Sequence, residues 1–244
     1  MGLSSNSLIH LTSLKQSLIG ILKEDFKIKY CLENVITPIG VLKYAIPMVS
    51  FCDIPMSGIK DHVEKYGAYG IGLTREWGQR HNLNPVFYVD KNSSIGKGYH
   101  EAFNELFVRS GAKISKLSET ENNLANILRY IKNYEADLNR NGEIVHDYRY
   151  ADEKEWRFVP GKEDTQIVYS ELYYNKSKEE INAKANLLKL PFVPTDIKYI
   201  IIKHENEINE FINVLKKAKG KFSYDEVDRL VTRIITTEQI LTDF

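Results

Sequence analysis

Leu14, Leu18, Ile19, Ile21 and Leu22 recur at helical spacing, which predicts a helix over 14–22 with Thr12 or Ser13 placed to cap its start. Leu8-Ile9-His10-Leu11 ahead of it reads as a short strand. Val49-Ser50-Phe51-Cys52-Asp53 reads as a second strand stopped by Pro55, and 59–66 as a brief helix. Tyr69-Gly70-Ile71-Gly72-Leu73-Thr74 and Val86-Phe87-Tyr88-Val89 are strand-like, separated by a polar turn containing Asn82, Asn84 and Pro85. From about His100 to Asn139 the pattern is mostly helical, carried by Leu124, Ile127, Leu128 and Ile131. Trp156-Arg157-Phe158-Val159, Thr165-Gln166-Ile167-Val168-Tyr169 and 197–202 predict further strands, the last a continuous apolar run suited to the middle of a sheet. Residues 207–219 and 224–235 predict helices, and Thr236-Thr237-Glu238-Gln239-Ile240 a capped final turn.

Strands and helices thus interleave without the regular rhythm of a doubly wound sheet, which points to an α+β fold. The expectation is a single mixed domain over 1–244 with a central, antiparallel-rich sheet, a helical insertion at about 100–140 and a helical part at about 205–244. Composition narrows the partners: 33 basic residues balance 33 acidic ones, and residues 1–100 and 101–244 carry only +3 and −3. That excludes a polycationic nucleic-acid binder and a disordered chain. Cys31 and Cys52 are too few for a disulfide framework or a zinc cluster, and indicate a reducing cytoplasm. No apolar run approaches the roughly 20 residues a membrane helix needs, and Met1-Gly2-Leu3-Ser4-Ser5-Asn6 does not resemble a signal peptide.

The chain carries no P-loop, no Gly-x-Gly-x-x-Gly, no His-Glu-x-x-His and no Cys-x-x-Cys. Gly67-Ala68-Tyr69-Gly70-Ile71-Gly72 is glycine-rich, but no helix starts where a dinucleotide fold requires one. Three elements remain. His10 and Thr12 share one face at the end of the first strand, where a buried histidine and a helix cap are the alternative reading. Ser50 and Cys52 share one face of the second strand, and Phe51 and Asp53 the other. Asp152-Glu153-Lys154-Glu155-Trp156-Arg157-Phe158 puts Glu153, Glu155 and Arg157 on one face of a strand that begins early enough. A carboxylate there could accept a sugar hydroxyl or stabilise an oxocarbenium-like cation, or it could be a solvated turn whose Arg157 neutralises Glu155.

The order of these elements resembles the ADP-ribosyltransferases. That resemblance implies an NAD-binding fold in which His10 holds a ribose or the nicotinamide region, Ser50 or Phe51 lines the nicotinamide pocket and Glu155 contacts the nicotinamide ribose. Glu153 would orient the acceptor, and Thr12, Tyr69 and Arg157 complete the set of residues facing NAD.

A second resemblance covers most of the chain. Ser7-Leu8-Ile9-His10-Leu11-Thr12, Phe51-Cys52-Asp53-Ile54-Pro55, His62 with Tyr66-Gly67-Ala68-Tyr69-Gly70-Ile71-Gly72-Leu73-Thr74 and Trp77-Gly78, Asn84-Pro85-Val86, the Asp152-to-Arg157 segment and Arg233-Ile234-Ile235-Thr236-Thr237-Glu238-Gln239-Ile240 together resemble the AbiGi family. This resemblance implies abortive infection against phage and the antitoxin side of a toxin–antitoxin pair.

Two functions follow as expectations. One is an NAD-consuming enzyme acting on a protein, a nucleic acid or NAD itself; the other is a non-catalytic antitoxin or regulator that restrains a partner toxin. The amphipathic stretch 224–244 is either a docking surface or an ordinary packed helix. Trp77-Gly78 and the 15 tyrosines leave a nucleic-acid partner open, with Arg75, Arg80 and Lys91 as local contacts.

Overall fold

A computed structural model describes residues 5–109, 117–140 and 143–243. Part of the N-terminal stretch read for a signal peptide, part of the predicted helical insertion and the last residue of the 224–244 stretch lie outside the described residues. The chain runs β1 (Ser7–Thr12), α1 (Lys15–Glu24), β2 (Phe26–Lys27), β3 (Lys29–Thr37), β4 (Gly40–Cys52), α2 (Lys60–Tyr66), β5 (Tyr69–Thr74) and α3 (Arg75–Arg80). It continues through β6 (Asn84–Pro85), β7 (Phe87–Val89), α4 (Ser94–Phe103), α5 (Glu119–Leu128), β8 (Ile131–Asn133), β9 (Ala136–Arg140), β10 (Glu143–Tyr148) and β11 (Glu155–Phe158). The remainder is β12 (Tyr169–Ser170), α6 (Glu171–Ala185), β13 (Lys189–Leu190), β14 (Ile197–Ile202), α7 (Ile208–Ala218), α8 (Tyr224–Val231), β15 (Ile234–Thr236) and α9 (Thr237–Asp243). Strands and helices are mixed, most strand pairs are antiparallel, and helices dominate the C-terminal part, as the hydrophobic pattern predicts.

Contacts divide the chain into two compact units, one of 1–27, 50–83 and 189–244 and one of 28–49 and 84–188. In the first, the strand order is β15, β14, β5, β1 and then the Cys52 end of β4, with only β14 and β15 parallel. Ile9 and Ile201 on one face of this sheet pack with Ile59 and Val63 around α2 and with Ile240 of α9. Burial of each such side chain contributes roughly 1.5–3 kcal/mol. The glycine cluster serves packing. Gly67 ends α2 at φ 114°, where a Cβ would stand 2.3 Å from Ser13 Cα, and a Cβ on Gly72 would stand 2.9 Å from the Tyr199 ring.

In the second unit β3 and β4 form a long hairpin in continuous register from Lys29↔Met48 to Thr37↔Gly40. β12 pairs with β4, β11 with β6, β7 runs parallel to β8, and β9 and β10 form their own hairpin. The core is Val35, Tyr44, Ile46, Tyr99, Phe103, Leu128, Ile131 and their neighbours. In it Tyr44 stacks on Phe103 at 4.5 Å between ring centres and shares a 2.6 Å hydroxyl contact with Tyr99.

Four local expectations need correction. The N-cap of α1 is Leu14, which offers no side-chain cap, because Thr12 is still paired in β1 and the Ser13 backbone is pressed against Gly67. The stretch 100–139 is not one helical run. α4 passes into a π-helical turn over Asn104–Arg109, α5 ends at Leu128, and β8 and β9 follow, since Ile131 pairs across to Phe87 instead of extending the helical stripe. Of 165–169 only Tyr169 enters a strand. Ile167 and Val168 are buried, while Gln166 Nε2 donates to Val168 O and the Tyr30 hydroxyl to Gln166 O, so side chains serve backbone groups that a ladder would otherwise hold. The 224–235 helix stops at Val231, and the β-branched Ile234 and Ile235 add a strand to β14. The final turn is capped as expected, with Gln239 N donating to Thr236 Oγ1.

Candidate functional site

β11 alternates Glu155 and Arg157 inward against Trp156 and Phe158, and both inward residues are buried. The strand begins at Glu155, so Glu153 does not lie on it. A helical turn over Tyr150–Glu153, closed by Lys154 at φ 44°, curls Glu153 back beside Glu155. β8 inserts Lys132 between the two. Its Nζ donates to Glu155 Oε2 at 2.7 Å and to Glu153 Oε2 at 3.0 Å, and lies 4.7 Å from the centre of the Tyr150 ring. Arg157 donates from Nε to Glu155 Oε1 at 2.6 Å and from Nη2 to Glu155 Oε2 at 3.2 Å and to Glu33 Oε1 of β3 at 3.0 Å. Tyr148 donates to Glu153 Oε1 at 3.0 Å, and the Tyr88 hydroxyl accepts from Glu155 N at 3.0 Å. Arg157 Nη1 donates to the carbonyl of Arg129, a second buried guanidinium that itself donates to Pro160 O.

The electrostatics follow from this packing. Burial pushes the Glu155 carboxyl up, but the adjacent charges of Arg157 and Lys132 outweigh it and hold the group at about 2. Burial likewise disfavours the cationic form of Lys132, and Glu155, Glu153 and Glu33 reverse that, keeping it an ammonium well above its ordinary range. Three carboxylates therefore face two cations in a nearly closed network. Glu155 is buried with three donors on its two oxygens, so a ribose hydroxyl seeking this carboxylate would have to compete with Lys132 and Arg157. As drawn by these distances the group is an ion-pair centre, and its fit to NAD is poor.

The first-unit residues gather differently. Nδ1 of His10 lies 2.8 Å from Ser50 O; a carbonyl only accepts, so Nδ1 carries the proton. The His10 ring stands edge-on to Phe26 at 5.3 Å and tilted against Phe51 at 5.7 Å, and those two rings continue into Trp77 and Phe192. His10, Ser50 and Phe51 thus meet. Thr12 is the β1 partner of Tyr69, whose hydroxyl donates to Glu207 at 2.9 Å; burial first, then Glu207, raises the Tyr69 phenol. Glu207 also accepts from Lys15 and from the backbone N–H groups of Lys203 and His204. Glu153, Glu155 and Arg157 belong to the other unit.

Glu33, Lys132, Tyr88 and Tyr148 escape a reading of the sequence. Lys132 falls in a stretch with a helical stripe, and Glu33 in one with no assigned element. The basic residues singled out for a nucleic acid are all in ion pairs: Arg75 with Asp53, Arg80 with Asp196 and Lys91 with Asp147. Trp77 is 0% exposed and donates to Pro191 O, so its ring offers no stacking surface. Among the described residues no helix is long and apolar enough to cross a membrane.

Comparison with known proteins places these features in a family context. The AbiGi family, abortive phage resistance proteins described as antitoxins, matches residues 20–203. That stretch contains Glu33, Lys132, Glu153, Glu155 and Arg157 and begins after His10. The Abortive phage resistance protein AbiGi of Lactococcus lactis subsp. cremoris is 28% identical over 228 residues, which cover 83% of this chain and 90% of that protein. No solved structure matches the chain.

Proposed function

We propose the function of this chain from its family: the chain belongs to the AbiGi family of abortive phage resistance proteins, and we infer that it is a non-catalytic antitoxin, a protein that binds and restrains a partner toxin during phage defence. One observation carries this reading over an NAD-consuming enzyme. Glu155, the carboxylate such an enzyme would present to ribose, is buried with both oxygens held by Lys132 and Arg157. Its geometry suits a group that fixes β8, β11 and the 150–153 turn to one another. A restraining protein needs a rigid body and a recognition surface, and no nucleophile or general base poised over a substrate.

The experiment is co-expression with each gene neighbouring that of this chain, taking forward one that arrests growth when expressed alone. The reading predicts that the chain alone leaves growth unchanged and that it relieves the arrest, and that a folded Glu155→Gln variant relieves it as well. Persistent arrest beside folded, wild-type chain contradicts the reading. So does arrest caused by the chain alone and lost in Glu155→Gln.

A further inference from the structure

Among the described residues β3 has one partner strand, β4, and its alternation tells which way each backbone group points. In an antiparallel pair, successive residues direct their N–H and C=O alternately toward the neighbour and away from it. The register from Lys29↔Met48 to Thr37↔Gly40 has no bulge, so the parity holds along the whole strand. Two side-chain contacts fix it. Ile36 N donates to Asn133 Oδ1 and Ile36 O accepts from Asn133 Nδ2, both at 2.8 Å. Tyr30 N donates to Asn182 Oδ1 and Tyr30 O accepts from the Tyr174 hydroxyl, both at 2.8 Å, while Asn182 Nδ2 donates to that same hydroxyl at 2.9 Å. Tyr30, Leu32, Asn34 and Ile36 therefore face away from β4.

The two ends of this outer edge are closed by side chains that imitate the next strand. The middle is open: Leu32, 41% exposed, and exposed Asn34 present N–H and C=O groups with no partner among the described residues. An open edge of this kind is a template for an added strand. Here Asn133 and Asn182 act as stops that confine the addition to about three residues and set its register.

The side chains beside the opening add a charge preference. Glu33, between Leu32 and Asn34, gives Oε1 to Arg157, and its Oε2 has no partner among the described residues. Behind it stand Glu153 and Glu155 with Lys132 and Arg157, three carboxylates in all against two cations. A strand laid along the edge would bring the Cβ opposite Glu33 to within about 5 Å of the Glu33 Cβ, on the same face. On the other face its neighbours meet Leu32 and Asn34.

We propose that the Leu32–Asn34 edge of β3 captures a short extended segment of the partner toxin that carries Lys or Arg opposite Glu33 and an apolar residue opposite Leu32. This rests on the antitoxin reading and supplies its recognition surface.

The test uses the full chain, isotope-labelled, with two blocked peptides as probes, Thr-Val-Lys-Val-Thr and the same peptide with Glu in place of Lys. The expected result is a saturable shift of the Leu32 and Asn34 amide signals, with the Lys peptide bound about tenfold more tightly than the Glu peptide. Asn34→Pro removes an outward N–H without removing a ladder bond, so it should keep the melting transition and lose peptide binding, while Asn34→Ala retains both. The proposal is overturned if neither amide moves at about 5 mM peptide, a bound on any useful affinity, or if both peptides bind alike. It is also overturned if those signals depend on protein concentration without peptide, which would make a second copy the occupant. Growth relief by wild-type chain and by Asn34→Pro alike would sink this surface and leave the antitoxin reading standing; absence of relief by wild-type chain would sink the reading itself.

Discussion

Lys132 Nζ and Glu155 Oε2 meet at 2.7 Å, from strands β8 and β11, where Glu155 is buried and the Lys132 side chain is 16% exposed. Removing one member of a buried pair leaves the other charge uncompensated, which costs about 3–5 kcal/mol. In Lys132→Met, three carboxylates would face Arg157 alone. Urea unfolding should show a loss of about that size, and adding Glu153→Gln should restore part of it, because one surplus carboxylate is gone. An unchanged midpoint in Lys132→Met would mean the network is not closed as described.

Acid should weaken the protein through the same carboxylate. Glu155 is held at about 2 in the folded chain against an ordinary 4.5. A lowered folded-state value means that its stabilisation is fully present above the unfolded value and is lost as pH falls from about 4.5 toward 2. Unfolding free energy measured across that window should decline, and Glu155→Gln should flatten the part of the decline that belongs to this group. A Glu155→Gln profile parallel to wild type would show that other groups dominate.

Asn133 is buried at 1% exposure and serves both backbone groups of Ile36. Asn133→Leu keeps much of the volume and leaves a donor and an acceptor without their amide, at a cost of about 1–3 kcal/mol. Hydrogen exchange should show the Ile36 amide losing protection more than that of Val35, which pairs with Leu42 in the ladder. Equal loss at both would indicate general loosening instead of an uncapped edge.

Gly67→Ala addresses the glycine-rich stretch. At φ 114° and with the new Cβ 2.3 Å from Ser13 Cα, the substitution should destabilise by about 1–3 kcal/mol. Thermal unfolding gives the answer. A neutral result would show that β1 and the end of α2 can separate without cost.

The sequence makes part of this legible for simple physical reasons. β14 is a continuous apolar run and sits between β5 and β15, and His10, Ser50 and Phe51 converge because adjacent strands place them side by side. The composition of 152–157 singles out Glu153, Glu155 and Arg157, which do form one cluster. Their partners are hidden because they depend on distant pairing: Lys132 and Glu155 are 23 residues apart, and Arg157 and Glu33 are 124 apart. Leu124, Ile127 and Leu128 belong to a helix but Ile131 begins a strand, and one helical stripe drawn through all four conceals β8. The outer edge of β3 is equally invisible, since it exists only once Asn133 and Asn182 are folded against it.

The proposed antitoxin acts by binding a partner, with Glu155 as a structural group. The most direct measurement is release of labelled nicotinamide from NAD by the purified chain beside Glu155→Gln, with unfolding followed in the same samples. The expected result is no release above a buffer blank from either protein and a loss of stability in the variant. Turnover by the wild-type chain that disappears in a variant of unchanged stability would contradict it.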